Sequence, residues 1–264
     1  MAADIHPTAL VDPAACLADG VQVGPFCVIG PDVTVDTGTV FGPHCVVDGK
    51  TSIGKNNTFY RFCSVGGMPQ DKKYAGEPTR LEIGDNNMFR EYVTLNTGTV
   101  QDVGVTRLGS NNWVMAYVHV AHDCQIGSQT ILANGVQMAG HVHIGDWAIV
   151  GGLAAIHQFG KIGAHAMVGG SSALHMDVPP YVMGSGNPCV PFGINAEGLK
   201  RRGFSPDVIG AIRDTYKILY RRGLPLDEAK AQIQARQVAD PSAHDALQVM
   251  LDFLETSTRG IIRP

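Results

Sequence analysis

An aliphatic or aromatic residue returns every six positions over most of the chain. The longest unbroken run extends from Leu108 to Leu174, and the same spacing holds from Ile5 to Val65 and from Ile83 to Leu95. This period matches neither the repeat of about 3.6 residues in a helix nor the alternation of a strand. It indicates a repeat architecture in which each hexad forms a short strand followed by a tight turn. Glycine often follows the aliphatic residue and supplies the turn conformations that other residues resist.

A second, smaller inward position lies four residues after each aliphatic one. One large and one small inward residue per hexad suit three flat strands that close a triangular coil, with coils stacked about 4.8 Å apart. Cys27, Cys45, Cys63 and Cys124 all fall on the small position, which predicts packed thiols rather than disulfides. This pattern resembles the hexapeptide-repeat family, and that resemblance implies a left-handed parallel β-helix.

The register fails at two places, which predicts two loops that leave the prism near residues 67–80 and 97–107. In the first, the in-phase positions are charged and cannot face a dry core. Its Gln70, Asp71 and Lys73 either bind a polar substrate or lie on a solvated excursion.

The hexads end after Leu174, and helical signals follow. Ser205 before Pro206 marks a helix start, with an apolar stripe that ends near Gly223. Further helices are expected at 226–238 and 241–256. We therefore predict a mainly β chain, with a β-helix over residues 1–189 and a small α-helical C-terminal domain over residues 190–264.

The central coils carry the candidate chemistry. Positions 18 and 36 residues after His122 are Gly140 and Gln158, so one edge of the prism should carry His122, Gly140, His141, His157 and Gln158 at successive levels. Two chemistries fit this row. His122 can accept a proton, with Asp123 orienting its ring and the Gly140 N–H stabilising an oxyanion. Alternatively, three neutral imidazoles can bind a catalytic zinc ion.

Six sequence motifs narrow the choice between these two chemistries. They are Gln70-Asp-Lys-Lys-Tyr-Ala-Gly-Glu-Pro-Thr-Arg80, His119-Val-Ala-His-Asp-Cys124, Ala139-Gly-His141, His157-Gln-Phe159, Val178-Pro-Pro-Tyr181 and Asn195-Ala-Glu-Gly-Leu-Lys-Arg-Arg-Gly-Phe204. This set resembles the UDP-N-acetylglucosamine O-acyltransferase family, which performs the first step of lipid A synthesis.

The resemblance implies a role for each matching residue. His122 resembles the general base that deprotonates the sugar 3-hydroxyl, Asp123 its orienting partner and Gly140 the oxyanion donor. Gly170 stands where the family measures acyl length, and a glycine there is similar to members that take longer chains. The residues that resemble the family's substrate-binding residues are Gln70, Asp71, Lys73, His119, His141, His157, Gln158, Asn195, Glu197, Arg201 and Arg202.

The resemblance also implies partners. The family is a homotrimer with each cleft between neighbouring prisms. Its acyl donor is the phosphopantetheine thioester of acyl carrier protein, and it requires no metal or other cofactor. Two other enzymes remain as alternatives. One is a zinc enzyme of the γ-class carbonic anhydrase type. The other is the related N-acyltransferase; since the hexads begin at Ile5, we expect its usual extra N-terminal domain to be missing here.

Charge is distributed unevenly along the chain. Residues 1–189 hold 9 basic and 15 acidic side chains, whereas Lys200–Arg222 hold 7 basic against 2 acidic ones. Arg213, Lys217 and Arg221 recur at fourth positions and so share one helix face, near Lys200. Such a face is either solvated or, given the resemblance, a dock for acidic acyl carrier protein. A net charge of −4 argues against nucleic acid. With no apolar run of membrane length and no secretory signal, we expect a cytoplasmic protein.

Overall fold

The computed structural model describes residues 2–264. The first strands are β1 (Asp4–Ile5), β2 (Leu10–Val11), β3 (Cys16–Leu17), β4 (Gln22–Val23), β5 (Val28–Ile29), β6 (Val33–Val35), β7 (Val40–Phe41), β8 (Val46–Val47), β9 (Lys50–Ile53), β10 (Thr58–Phe59), β11 (Ser64–Gly67), β12 (Arg80–Ile83), β13 (Met88–Phe89) and β14 (Thr94–Asn96). They are followed by β15 (Val105–Leu108), β16 (Trp113–Val114), β17 (His119–Val120), β18 (Gln125–Ile126), β19 (Ile131–Leu132), β20 (Gln137–Met138), β21 (His143–Ile144), β22 (Ile149–Val150), β23 (Ala155–Ile156), β24 (Lys161–Ile162), β25 (Met167–Val168), β26 (Ala173–Leu174), β27 (Val182–Ser185) and β28 (Val190–Ile194).

Each strand up to β23 pairs in parallel with the strand three places later in the chain. His119 of β17, for example, is in register with Gln137 of β20. The chain thus visits three sheets in turn, of 11, 9 and 8 strands. This is the expected left-handed parallel β-helix. We call its corners by the sheet that precedes them: the first corner follows the 11-stranded sheet, the second the 9-stranded sheet and the third the 8-stranded sheet.

The hexad residues fill the interior of the prism, as the pattern predicts. Phe59 is 1% exposed and stacks between Phe41 and Phe89, with ring centroids 4.9 and 4.5 Å apart. Ile5 is 42% exposed because it lies on the outermost coil. Burial of these side chains between successive coils is the main stabilising contribution, at roughly 25 cal/mol per Å² of apolar surface.

The small inward positions form columns. Cys27, Cys45 and Cys63 stack in one column and each thiol donates to a backbone carbonyl. Cys124 is also buried but belongs to another column, and burial raises its pKa to about 12. All four cysteines are free, as predicted.

A third column is polar, which the hexad pattern did not predict. It contains Asn57, Asn87 and Asn112, all buried. The Asn57 Oδ1 accepts from the Asn87 backbone N–H and Nδ2, and the Asn87 Oδ1 accepts from the Asn112 N–H. Asparagine is tolerated inside the prism because it joins adjacent coils by hydrogen bonds.

Two loops leave the prism at the second corner. Loop 1 contains residues 68–79, between β11 and β12. Loop 2 contains residues 97–104, between β14 and β15. It is shorter than the predicted 97–107 because Val105, Thr106 and Leu108 are buried in β15 and rejoin the sheet.

The prism ends in an antiparallel pair of strands, β27 and β28. The predicted domain boundary at residue 190 falls inside this pair, and β28 continues to Ile194. The four α-helices of residues 2–264 follow. They are α1 (Ala196–Arg201), α2 (Pro206–Arg221), α3 (Leu226–Ala239) and α4 (His244–Thr256), with a 3₁₀ turn at Pro241–Ala243.

Helix α2 begins where the sequence predicts, because the Ser205 hydroxyl accepts from the Val208 N–H. Helix α1 was not predicted, since six residues are too few to show a periodic pattern. Within the described residues, every helix is too short or too polar to cross a bilayer.

Buried Asp177 joins the C-terminal tail to the prism. Its carboxylate accepts from the Lys161 N–H at 2.8 Å and from the Ser257 hydroxyl at 2.7 Å, and its backbone carbonyl accepts from the Ile262 N–H. Burial raises the pKa of this carboxyl, although the two donors oppose that shift. The helical domain is therefore fixed against the upper coils.

Candidate active site

The row of histidines lies at the second corner, above both loops. His122, Gly140 and Gln158 occupy equivalent positions in three successive turns. The next residue in each turn has a positive φ: 59° at Asp123, 64° at His141 and 63° at Phe159. Residues other than glycine rarely adopt this conformation. Backbone bonds hold it here, because the His141 N–H donates to the His122 carbonyl and the Phe159 N–H to that of Gly140.

Asp123 is completely buried and ionised. Both of its oxygens accept from the Thr99 N–H at 3.0 Å, and Oδ2 also accepts from the Thr99 hydroxyl at 2.6 Å. Burial raises the pKa of the carboxyl, but hydrogen bonds from His122 and Thr99 outweigh burial and leave the pKa below its ordinary value. The site therefore contains a fixed negative charge beneath the histidines.

His122 lies between this carboxylate and the backbone of Gly140, which carries no side chain. Its Nδ1 donates to the Asp123 Oδ2 at 3.0 Å, which leaves Nε2 unprotonated in the neutral ring. A Cβ atom placed on Gly140 would lie 2.6 Å from the His122 Nε2, so only glycine admits the ring in this position. The Gly140 N–H donates no hydrogen bond within residues 2–264.

His141 belongs to a second imidazole–carboxylate pair. Its Nδ1 lies 2.6 Å from the Asp102 Oδ2, and its ring stacks on Phe159 with centroids 4.3 Å apart. The His141 ring meets the His122 ring edge-on at 4.9 Å. Asp102 and Thr99 both lie in loop 2, so this loop supports both histidines.

His122, Asp123 and His141 also form the group in residues 2–264 whose ligand atoms approach within 4.8 Å of one another, as a metal site requires. The donors fit a zinc ion poorly. The expected zinc site uses three imidazoles, whereas only two are present and both Nδ1 atoms are bound to carboxylates. The Asp123 oxygens are already occupied by Thr99.

Other predicted residues share the second corner. His119 lies on β17, three residues before His122, and its Nδ1 is 2.7 Å from the Thr94 hydroxyl. Burial, and secondly repulsion from His122, lower the pKa of His119. His157 and Gln158 are exposed one coil above His141. In loop 1, Gln70 and Lys73 are exposed and Asp71 is half-buried.

The predicted C-terminal residues lie instead at the third corner. The Asn195 side chain caps α1 through the Gly198 N–H and donates to the His165 carbonyl. Arg202 donates to the His165 Nδ1 and to the Trp147 carbonyl. Burial, and secondly the Arg202 charge, lower the His165 pKa to about 4. Glu197 and Arg201 are exposed on α1. One chain therefore does not bring these residues to His122.

Gly170 lies at the first corner, where it is exposed and a Cβ would approach the Gly152 carbonyl at 3.2 Å. The basic residues Lys200, Arg213, Lys217 and Arg221 are all exposed, and Lys217 pairs with Asp214 at 2.9 Å.

Sequence reasoning missed Thr99, Asp102 and Phe159 as parts of the site. Phe159 follows His141 by 18 residues, so the coil spacing could have placed it above His141. Thr99 and Asp102 carry no comparable signal, because a loop outside the hexad register has no period from which its neighbours can be counted.

Comparison with known proteins gives matches over nearly the whole chain. A family profile described as Udp N-acetylglucosamine O-acyltransferase, Domain 2, matches residues 177–262, and one for the bacterial transferase hexapeptide (six repeats) matches residues 17–49 and 106–140. The acyl-[acyl-carrier-protein]--UDP-N-acetylglucosamine O-acyltransferase of Janthinobacterium sp. (strain Marseille) is 58% identical over 98% of this chain and 99% of its own length.

Solved structures agree with these matches. LpxA from Acinetobacter baumannii is 50% identical, with a TM-score of 0.94, over 98% of this chain and 99% of that one. The UDP-N-acetylglucosamine O-acyltransferase of Moraxella catarrhalis RH4 is 44% identical, with a TM-score of 0.95, over the same shares of the two chains.

Replacing Thr99 by valine should destabilise the protein in a pH-dependent manner. The variant loses an O–H donor to an ionised carboxylate, which contributes about 1.5–3 kcal/mol at neutral pH. A carboxyl whose folded pKa is lowered adds stability above its unfolded pKa of about 3.9, and that stability is lost as pH falls through the folded value. The difference between the two proteins should therefore shrink below about pH 4. Denaturant unfolding across this range measures it, and a difference independent of pH would contradict the charge-assisted bond.

Proposed function

The chain belongs to the UDP-N-acetylglucosamine O-acyltransferase family, and we propose that it transfers a (3R)-hydroxyacyl group from acyl carrier protein to the 3-hydroxyl of UDP-N-acetylglucosamine. This is the first step of lipid A synthesis. The observation that carries the residue assignment is the His122–Asp123 pair, in which a buried ionised carboxylate binds Nδ1 and leaves Nε2 to act as a base.

His122 is the general base of this reaction. Its Nε2 takes the proton of the sugar 3-hydroxyl as that oxygen attacks the thioester carbonyl carbon. The tetrahedral intermediate then collapses, the carbon–sulfur bond breaks, and the protonated His122 returns the proton to the phosphopantetheine thiolate. Asp123 orients the ring and stabilises the transient imidazolium.

Gly140 provides the oxyanion donor. A Cβ built on Gly140 would touch the His122 ring, so this backbone lies close to the base, and the Gly140 N–H donates no hydrogen bond within residues 2–264. A backbone donor aimed at the developing negative charge stabilises the transition state by about 2.7–4 kcal/mol in comparable sites.

Substrate is held by residues of two chains in a homotrimer. The second corner contributes loop 1 residues Gln70, Asp71 and Lys73, together with His119, His141, His157 and Gln158. The third corner of a neighbouring chain contributes Asn195, Glu197, Arg201 and Arg202, of which the arginines suit the diphosphate because they present paired donors. This arrangement is supported by the separation of the two groups within one chain.

The first corner supports association. Phe26, His44, Phe62, Tyr92 and Tyr117 stack there as a continuous ladder, with ring centroids 4.9–5.1 Å apart. All five side chains are exposed in the single chain. A contiguous apolar surface of this kind is typical of an interface, and we assign it to contacts between subunits.

The reaction as proposed needs no metal or other cofactor, since the thioester activates the acyl group and His122 handles the proton. The acyl donor is phosphopantetheine on the carrier protein. We place the reaction in the cytoplasm. The basic face of Lys200, Arg213, Lys217 and Arg221 is the proposed docking surface for acidic acyl carrier protein.

In the assay for this function, the protein is incubated with UDP-N-acetylglucosamine and hydroxyacyl carrier protein, and the mass of the nucleotide sugar is measured by mass spectrometry. We expect the acylated sugar, and a rate about 10²- to 10⁴-fold lower for His122→Ala, because general-base catalysis contributes that much. His244→Ala, on α4, is the matched control and should keep the wild-type rate.

The same assay separates the alternatives. A chelator should leave the rate unchanged. If the protein were instead a zinc enzyme, the chelator would abolish its activity. Turnover of an amino sugar acceptor in preference to UDP-N-acetylglucosamine would favour the N-acyltransferase. Solution mass should be that of a trimer for wild type and both variants.

Charge reversal tests the docking surface. The double variant Arg213→Glu, Lys217→Glu should raise the KM for the carrier protein and leave that for UDP-N-acetylglucosamine unchanged, since complementary charge mainly speeds encounter. Lys55→Glu, on a lower coil, is the control. Equal changes in both KM values would reject a separate docking surface.

Acyl length tests Gly170. A glycine leaves the groove open, so wild type should accept the longer hydroxyacyl chains of a donor series, while Gly170→Met should shift the preference to shorter ones. A selectivity change of about 10- to 200-fold is expected for a hydrophobic pocket. An unchanged preference would remove Gly170 from this role.

A further inference from the structure

Loop 2 carries a second carboxylate that the proposed mechanism does not use. Asp102 lies 39 positions before His141 in the chain, and its Oδ2 is 2.6 Å from the His141 Nδ1. The Asp102 side chain is 36% exposed, whereas that of His141 is 10% exposed. The acid therefore reaches the buried ring from the solvent side of the corner.

The surroundings of His141 leave its ring with one orientation. One face stacks on Phe159 at 4.3 Å with an interplanar angle of 9°. Its contact with His122 is edge-on, at 88°. The other carboxylate near this ring, Asp123, is 3.9 Å from the same Nδ1 and already accepts hydrogen bonds from Thr99 and His122. Asp102 is thus the hydrogen-bond partner that fixes Nδ1.

We propose that Asp102 is a positioning residue for acyl transfer: it accepts the Nδ1–H of His141 and so fixes this imidazole edge-on to His122, with Nε2 directed to substrate. The His141 Nε2 makes no hydrogen bond within residues 2–264, so it remains available. This inference rests on the proposed function for its kinetic consequence, but the proton position at Nδ1 does not depend on it.

The two pairs at the corner have different roles. Asp123 is sealed beneath His122 and keeps the base oriented. Asp102 acts from a loop, so the His141 orientation depends on loop 2 staying closed over the corner. A misplacement of about 1 Å in a group that positions substrate can cost on the order of 10²-fold in rate.

Kinetics of Asp102→Leu test the proposal. Leucine retains the approximate size of the side chain but accepts no hydrogen bond. We expect kcat/KM to fall by about 10-fold or more, with unfolding midpoint and trimer mass unchanged. Asp102→Asn, which keeps an acceptor oxygen, should recover part of the loss. Gln101→Leu, its exposed neighbour in the loop, should match wild type.

A double-variant cycle separates positioning from a general effect on the loop. If Asp102 acts through His141, Asp102→Leu should produce no further loss when added to His141→Ala. If the rate losses of the two single variants multiply in the double variant, the Asp102 substitution acts elsewhere, for example because it frees Thr99 from Asp123. That result would overturn the proposal. So would an Asp102→Leu rate within twofold of wild type.

A readout without turnover distinguishes this failure from failure of the proposed function. In protein labelled with ¹⁵N-histidine, the NMR signals of the His141 ring are those that disappear in His141→Ala. The His141 Nδ1 should carry hydrogen in wild type. Its signal should change in Asp102→Leu but not in Gln101→Leu. An unprotonated Nδ1 in wild type would overturn the inference even if the acyltransferase activity is found.

Discussion

The structure depends on the stacking of each coil on the next, which lies 18 residues away wherever no loop intervenes. A parallel pairing such as His119 with Gln137 carries a backbone hydrogen bond across every interval, and the inward side chains are covered by their own equivalents above and below. Corners inherit this regularity. The left-handed backbone at Asp123, His141 and Phe159 costs about 1–3 kcal/mol for each residue, and the ladder on either side holds it in place.

The loops supply what stacking cannot. Residues in one column lie about 5 Å apart along a single direction, so a column alone places an imidazole above an imidazole and leaves the remaining directions open. Loop 2 leaves the prism just below His122 and returns over the corner, which brings the Thr99 donors under Asp123 and the Asp102 acceptor beside His141. The interruptions in the hexad register are therefore part of the site.

The sequence predicted what is periodic. Counting by 18 from His122 located Gly140 and Gln158 at one corner, and the small inward positions located the buried thiols of Cys27, Cys45 and Cys63. The family expected from the six sequence motifs is confirmed. Features without a period were beyond this reasoning. Asp102 could not be paired with His141, the end of β28 at Ile194 was missed, and Arg202 could not be placed at the third corner, because the docking of the helices on the prism follows no repeat.

The rigidity of the prism bears on how a complete site can form. His122 lies at the second corner, whereas the Arg202 guanidinium is held at the third by the His165 ring and the Trp147 carbonyl. A full face of paired strands separates these corners, and each strand inside it is fixed by hydrogen bonds to the coils above and below. Closing that distance within one chain would require breaking the sheet. A neighbouring chain that presents its third corner to the second corner of the first would bring the groups together without any such change. The exposed ring ladder on the remaining corner is the surface that we propose for contacts between subunits.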